Sequence, residues 1–162
     1  MGLKIKGEIM GIFSIINTSG SGLTAQRTRL DVIADNIANV NTTRTTEGGA
    51  FRRSRVIFKP RDDGNKYKSP FLPDALQPNV GTGVRVFSIE KDMESATRFV
   101  YDPSHPDAIK YGEKAGYVEM PNVNPVTEMV DMMEASRAYE ANSTMIQSAK
   151  TMFASALNII RY

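Results

Sequence analysis

The sequence predicts an α+β protein: long N- and C-terminal helices form a coiled-coil-like pair, with a small antiparallel β region inserted between them. Three observations predict it. Apolar residues repeat every seven positions near both ends, the middle changes to a period of two punctuated by turn residues, and 162 residues at 41% hydrophobic provide for one modest core.

Near the N-terminus Ile16, Leu23, Leu30 and Ile37 keep the seven-residue repeat, and Ile33 and Val40 fill the intermediate position of the last two heptads. Polar Ser19 and Gln26 stand at the two earlier intermediate positions. Asn17, Thr18, Ser19, Gly20 and Gly22 weaken the first turns, so a firm helix is expected from about Leu23 to Val40. Asn41, Thr42 and Thr43 should end it, because short polar side chains compete for the backbone.

At the far end Met132, Tyr139, Ile146, Phe153 and Ile160 repeat at sevens, and their companions Ala135, Asn142, Ala149 and Ala156 are all small, which lets two helices approach closely. Asn124 is placed to cap this helix and Pro125 to begin it, since the missing proline donor would be unpaired there anyway. No Pro or Gly interrupts the run from there to Arg161, a helix roughly 50 Å long. Part of it is expected to extend beyond any core of its own.

Between the helices, Phe51 to Lys59, Gly83 to Lys91, Thr97 to Tyr101 and Ala115 to Met120 read as strands. Asp62, Asp63, Gly64 and Asn65 form a loop, and Pro70, Pro73 and Pro78 mark an irregular connection. The expected organisation is an N-terminal extension over 1–9, an N-terminal helix segment over 10–43, a β-rich middle over 44–121 and a C-terminal helix segment over 122–162.

Composition excludes more than it asserts. Lys plus Arg number 20 against 18 Asp plus Glu, interspersed rather than blocked, which leaves no electrostatic footprint for nucleic acid. With no Cys there are no disulfides, thiolate metal sites or cysteine nucleophiles. The first residues make a poor cleaved signal, and no stretch approaches the roughly 18 apolar residues of a membrane span.

Candidates for chemistry are weak. His105, the only histidine, lies in a turn between Pro103 and Pro106 with no second metal-ligating partner. Gly81, Thr82 and Gly83 lack the third glycine and the helix of a dinucleotide loop, and Asp62 to Asn65 has too few spaced oxygens for a calcium loop. Arg53 and Arg55 alternate onto one strand face, read as a solvated or interface face. No catalytic residue, cofactor or metal is expected. Asn36 and Asn39 invite an explanation, because two poor helix formers one turn apart interrupt a strongly helical stretch. Either they face water or cap the helix end, or they hydrogen-bond across a close helix contact allowed by Ala34 and Ala38.

An apolar stripe is ordinarily the core face of a globular domain. Here two long helices and a small sheet carry more stripe than one helix hairpin covers, so the remainder needs another copy or another protein. The expected assembly residues are Leu23, Leu30, Ile33, Asn36, Ile37 and Asn39 on the first helix. On the second they are Met129, Met132, Met133, Tyr139, Asn142, Ile146 and Phe153. The apolar members would supply burial, and Asn36, Asn39 and Asn142 would fix register.

The run Asp31-Val-Ile-Ala-Asp-Asn-Ile-Ala-Asn-Val-Asn-Thr42 resembles the signature near the N-terminus of flagellar rod, hook and hook-associated axial proteins. Its continuation to Arg53, Gly83-Val-Arg-Val86, the Tyr101 to Pro106 loop and the segment Met120 to Asn142 are similar to the C-type proximal rod branch of that family. The resemblance covers Met10 to the C-terminus and implies a structural, non-enzymatic subunit. It implies export through the flagellar type III export apparatus without a cleaved signal peptide, and a place in the axial rod of the basal body in the periplasm. Implied partners are other copies of the chain, B-type and F-type rod proteins and the rod-base protein at the export gate, with no nucleic acid and no membrane insertion. A helical export adaptor or chaperone shares such seams but would stay in the cytoplasm.

Overall fold

The structure, a computed structural model, describes residues 4–61 and 83–160, with side chains described over 13–61 and 83–159. Its elements in order are α1 (Lys4–Ala38), β1 (Ser54–Pro60), β2 (Val84–Lys91), β3 (Arg98–Tyr101), β4 (Tyr117–Met120) and α2 (Pro125–Ile160). The class is α+β as expected, with two long helices bracketing small two-stranded sheets. The loop expected at Asp62 to Asn65, the prolines 70, 73 and 78, and Gly81 and Thr82 lie outside the described residues.

α2 begins where local chemistry places it. Asn124 Oδ1 accepts from the Val126 N–H at 3.0 Å and the Asn124 carbonyl accepts from Glu128 N–H at 3.0 Å, while Pro125 takes the first helical position. The 36 uninterrupted residues that follow rise about 54 Å.

α1 departs from the expectation at its start. It begins at Lys4 rather than near Leu23, so the glycines and Ser19 do not break it. Gly22 explains part of this: a Cβ there would lie 2.9 Å from Asn142 Nδ2, so glycine is what lets the helix meet α2. Close packing overrides intrinsic propensity. The helix ends at Ala38, and Asn39 closes it by donating from its backbone N–H to Asp35 O at 3.1 Å and from Nδ2 to the same carbonyl at 3.0 Å.

The four strands fall inside the four expected runs, each shorter at one or both ends, except that β1 runs one residue further, to Pro60. β1 pairs with β2, and β3 pairs antiparallel with β4 in the register Phe99↔Glu119, Val100↔Val118, Tyr101↔Tyr117. Period-two alternation turns Val118 inward at 1% exposure. Tyr101 and Tyr117 meet edge to face on the other side, their centroids 5.2 Å apart. β2 is entered at Gly83, with φ +126°, where any side chain would collide with Ser21 Oγ. Ser21 Oγ in turn accepts from the Val84 N–H at 3.0 Å and donates to Thr18 O at 2.7 Å.

Two compact units divide the chain. One gathers α1 up to Arg27, the described part of Phe58–Phe87 and α2 from Arg137; the other holds Thr28–Ile57 and Ser88–Ser136. Among the described residues the buried hydrophobic core consists of Ala25, Ile33, Ala50, Val118, Ala135 and Ala149. Four of these six are alanines, so small groups make up most of the apolar interior.

Candidate assembly interface

The first turns of α2 bury charge. Glu128 is fully buried; its Oε1 accepts from Arg53 Nε at 2.5 Å and its Oε2 from Asn36 Nδ2 at 3.0 Å. Asn36 also bonds Ser54 in both directions, Nδ2 to Ser54 O and Ser54 N–H to Oδ1, each at 2.9 Å. One turn further, Asp131 lies between two guanidinium groups, 2.9 Å from Arg53 Nη2 and 3.4 Å from Arg29 Nη2. Arg29 also reaches Glu134 at 3.8 Å. A buried ion pair persists only when its remaining hydrogen-bonding sites are met, and this network meets them with α1, the start of β1 and α2 at once. Asn122 extends it, accepting from the Arg53 N–H at 2.8 Å and donating to Asp92 O at 3.1 Å.

Arg53 therefore does not lie on a solvated strand face. β1 starts at Ser54, one residue after it, so the alternation that pairs Arg53 with Arg55 does not apply; Arg55 is exposed as expected. Glu128, Asp131, Arg29 and Asn122 were not singled out by the sequence reading. A signal for Glu128 exists, since it stands seven residues before Ala135 and heads the small seam Ala135, Asn142, Ala149.

Of the small seam the chain buries Ala135 and Ala149, half-buries Asn142 and leaves Ala156 exposed. Ala135 and Ala149 are at 0% exposure, and on α1 the buried positions are Ser19, Ala25, Ile33 and Asn36. The large seam residues are covered only in part or not at all. Met129, Met133, Tyr139 and Phe153 are exposed; Leu23, Leu30, Ile37, Asn39, Met132, Asn142 and Ile146 are half-buried. Ile33 and Asn36 are buried within the chain. The two readings of the asparagines divide between them: Asn36 bridges to α2, whereas Asn39 closes its own helix, its Nδ2 also bonding Asp35 Oδ1 at 3.0 Å. Asn142 Nδ2 bonds Ala138 O at 2.9 Å one turn back on α2.

At the start of α2, Val126, Met129, Val130 and Met133 form an i, i+3, i+4, i+7 stripe that is 50–65% exposed, on the face opposite Glu128, Asp131 and Ala135. Toward the end of α2 every residue from 151 to 159 is exposed, Met152, Phe153, Leu157 and Ile159 among them. The helices thus bury small groups and one carboxylate while leaving many large apolar side chains exposed. Among the described residues no helix is long and apolar enough to cross a membrane.

The polar side chains of the described loops are engaged in local hydrogen bonds. His105 Nδ1 accepts from the Asp107 N–H at 3.1 Å. The Ser104 hydroxyl and N–H hold the Asp102 carboxyl below the usual range, and Ser95 does the same for Asp92. In the cleft lined by Thr43, Arg44, Asp107 and Glu119 both acids are engaged, by Thr43 at 2.9 Å and Thr97 at 2.7 Å.

Paired terminal helices around a small β insert agree with the two family models that match. One, described as Flagella basal body rod protein, matches residues 16–44; the other, described as Flagellar basal body rod FlgEFG protein C-terminal, matches residues 114–159. The class is thus that of flagellar axial rod proteins. Full-length relatives narrow it. The chain is 60% identical over 152 residues to the flagellar basal-body rod protein FlgC of Borreliella burgdorferi, covering 94% of this chain and 99% of that one. It is 40% identical to FlgC of Bacillus subtilis, over 93% of this chain and 99% of the relative, and 33% identical to FlgC of Salmonella typhimurium, over 93% and 98%. The chain belongs to the FlgC family of flagellar basal-body rod proteins.

Proposed function

We propose that this structural rod subunit polymerises through its two terminal helices, so that the assembly encloses the export channel and transmits torque. Family membership makes it a component of the flagellar basal body serving motility. The observation that carries the mechanism is the apolar surface the helices leave exposed: twelve of the nineteen large apolar side chains that stand exposed among the described residues are on α1 and α2. Burying a half-exposed Met or Leu contributes on the order of 1 kcal/mol, and many such contacts must shear together before a rod yields.

Within this reading Met129, Met133, Tyr139 and Phe153 are the primary contacts, and Leu23, Leu30, Ile37, Met132 and Ile146 complete burial on assembly. Asn39 and Asn142 adjust register there. Ile33 and Asn36 act earlier, holding the subunit's own helices in place. The β-rich middle, 44–121, lies outside the helical tube formed by 10–43 and 122–162, and 1–9 is an extension. Partners are other copies, B-type and F-type rod proteins, the rod-base protein at the export gate and the type III export apparatus. The chain reaches the periplasmic axial rod without signal cleavage and performs no catalysis.

Electron microscopy of isolated basal bodies tests this directly. Density for this chain in the proximal axis, with its terminal helices innermost, is expected. Its absence from the axis, with the chain confined to the cytoplasmic fraction, would favour an export adaptor instead.

A further inference from the structure

The first half of the connection between β3 and β4 is held at both ends by backbone bonds and in its middle by an imidazole. The Asp102 N–H donates to Gly116 O at 3.0 Å where the chain leaves β3; Ile109 donates to Tyr117 O at 3.0 Å and accepts from the Gly116 N–H at 2.8 Å where it returns. Between these points Pro103 and Pro106 have no N–H to give, and the Ser104, His105 and Ala108 amides go to Asp102 Oδ1, Asp102 O and His105 O. The Asp107 N–H goes to His105 Nδ1 at 3.1 Å. Asp107 also ties this loop to the segment after α1: its Oδ2 accepts from the Thr43 hydroxyl at 2.9 Å, and exposed Arg44 lies 3.9 Å from its Oδ1.

From this we infer that His105 is a pH-sensitive latch: uncharged, it fastens the loop by accepting from the Asp107 N–H, and protonated, it releases that amide and slackens the tether between Asp107 and Thr43. The bond needs a bare Nδ1, so the neutral ring must carry its proton on Nε2; an imidazolium has a proton on both nitrogens and accepts nothing. An imidazole is the side chain that changes charge between about pH 5 and 8. Carboxylates flank it. The Ser104 hydroxyl and N–H, and after them the nearby His105, draw the Asp102 carboxyl below its usual range, so Asp102 stays ionised throughout that window. Asp107 is the second carboxylate, and Glu119 of β4, Arg44 and Lys110 are the charged groups that line the same cleft. A protonated ring therefore loses an amide donor and gains carboxylate acceptors, one of which Thr43 already uses. The latch does not depend on how subunits meet.

Nuclear magnetic resonance of the isotope-labelled full-length chain, held dilute, tests this between about pH 8 and pH 5. His105 is the only histidine, so its ring gives one unambiguous signal. At the upper end the neutral ring should carry its proton on Nε2. As the ring titrates, the Asp107 amide and the Thr43 methyl resonances should move in step with it, and exchange of the Asp107 amide, corrected for intrinsic rates, should quicken about 3–10-fold as one hydrogen bond is lost. His105→Asn keeps a side-chain acceptor that does not titrate, so its Asp107 amide should stay slow across the whole range. His105→Leu has no acceptor and should be fast at both ends, with helical circular dichroism as the folding check on both variants. A neutral ring with its proton on Nδ1, a ring still uncharged at the lower end, an Asp107 amide that ignores the ring's titration, or the same pH dependence persisting in His105→Asn would each overturn the latch. A Thr43 methyl that stays still while the Asp107 amide responds would overturn the slackening of the tether.

Discussion

Replacing Glu128 by alanine should destabilise the subunit by about 3 kcal/mol. The magnitude follows from its neighbours. Truncation removes the anion 2.5 Å from Arg53 Nε and the acceptor 3.0 Å from Asn36 Nδ2, at a site with no access to water. Breaking a buried ion pair costs about 3–5 kcal/mol; the lower end applies because Arg53 keeps Asp131 at 2.9 Å and Asn36 keeps Ser54 O at 2.9 Å. For a chain of this size the thermal midpoint should fall by about 6–12 °C. Glu128→Gln preserves shape but loses the charge-assisted bonds, and should cost about half as much. Arg53→Met should be as damaging as Glu128→Ala, and the double variant less damaging than the two losses added, by at least ~1 kcal/mol, because the pair acts as one unit. Urea titration followed by helical circular dichroism, at a concentration where the chain is monomeric, reads all four. A loss under ~0.5 kcal/mol for Glu128→Ala, or strict additivity in the double variant, would refute the claim that this network holds the helices to the β region.

Gly83→Ala should cost about 1–3 kcal/mol by urea titration, since it strains a residue at φ +126° and drives a methyl into Ser21; Gly20→Ala, with open space around it, should be neutral or mildly stabilising. Met129→Ser/Met133→Ser should leave unfolding unchanged while weakening self-association on the order of 10-fold in sedimentation equilibrium, as two half-exposed methionines lose the burial that a neighbour completes. The Asp92 and Asp102 carboxyls sit below their ordinary value of 3.8, so the stabilisation of their turns is complete above that pH. It is lost as pH falls through the lowered values. Hydrogen exchange, corrected for intrinsic rates, should show the Ser95 and Ser104 amides losing protection on acidification, and Asp92→Asn should remove that pH dependence at Ser95.

What the sequence made legible was local. Asn124 and Pro125 start α2 because capping is a property of neighbouring residues, and the four strands follow alternation and turn chemistry that any short window contains. The start of α1 was not legible in this way, since Gly22 reads as a helix breaker until Asn142 is placed against it. Periodicity also marked the helix faces without saying which face turns inward. The repeat of large residues at Met132, Tyr139, Ile146 and Phe153 resembles a core seam, yet the repeat running through Glu128, Ala135 and Ala149 is the buried one. A lone chain and a polymer subunit share the same repeat; only packing distinguishes them. The Glu128 network was hidden for a related reason. Its members come from α1, the approach to β1 and α2, and Arg53 becomes a partner only because β1 begins one residue after it.

Methionine oxidation footprinting tests the central claim most directly, because α2 carries its own reporters. Met129, Met133, Met145 and Met152 are 50–55% exposed in the single chain. Brief peroxide treatment followed by mass spectrometry should modify all four readily in the dilute subunit and leave Met129 and Met133 strongly protected in isolated basal bodies. Equal reactivity of these methionines in both samples would contradict the account, because it would mean that no neighbour covers the surface the helices leave open.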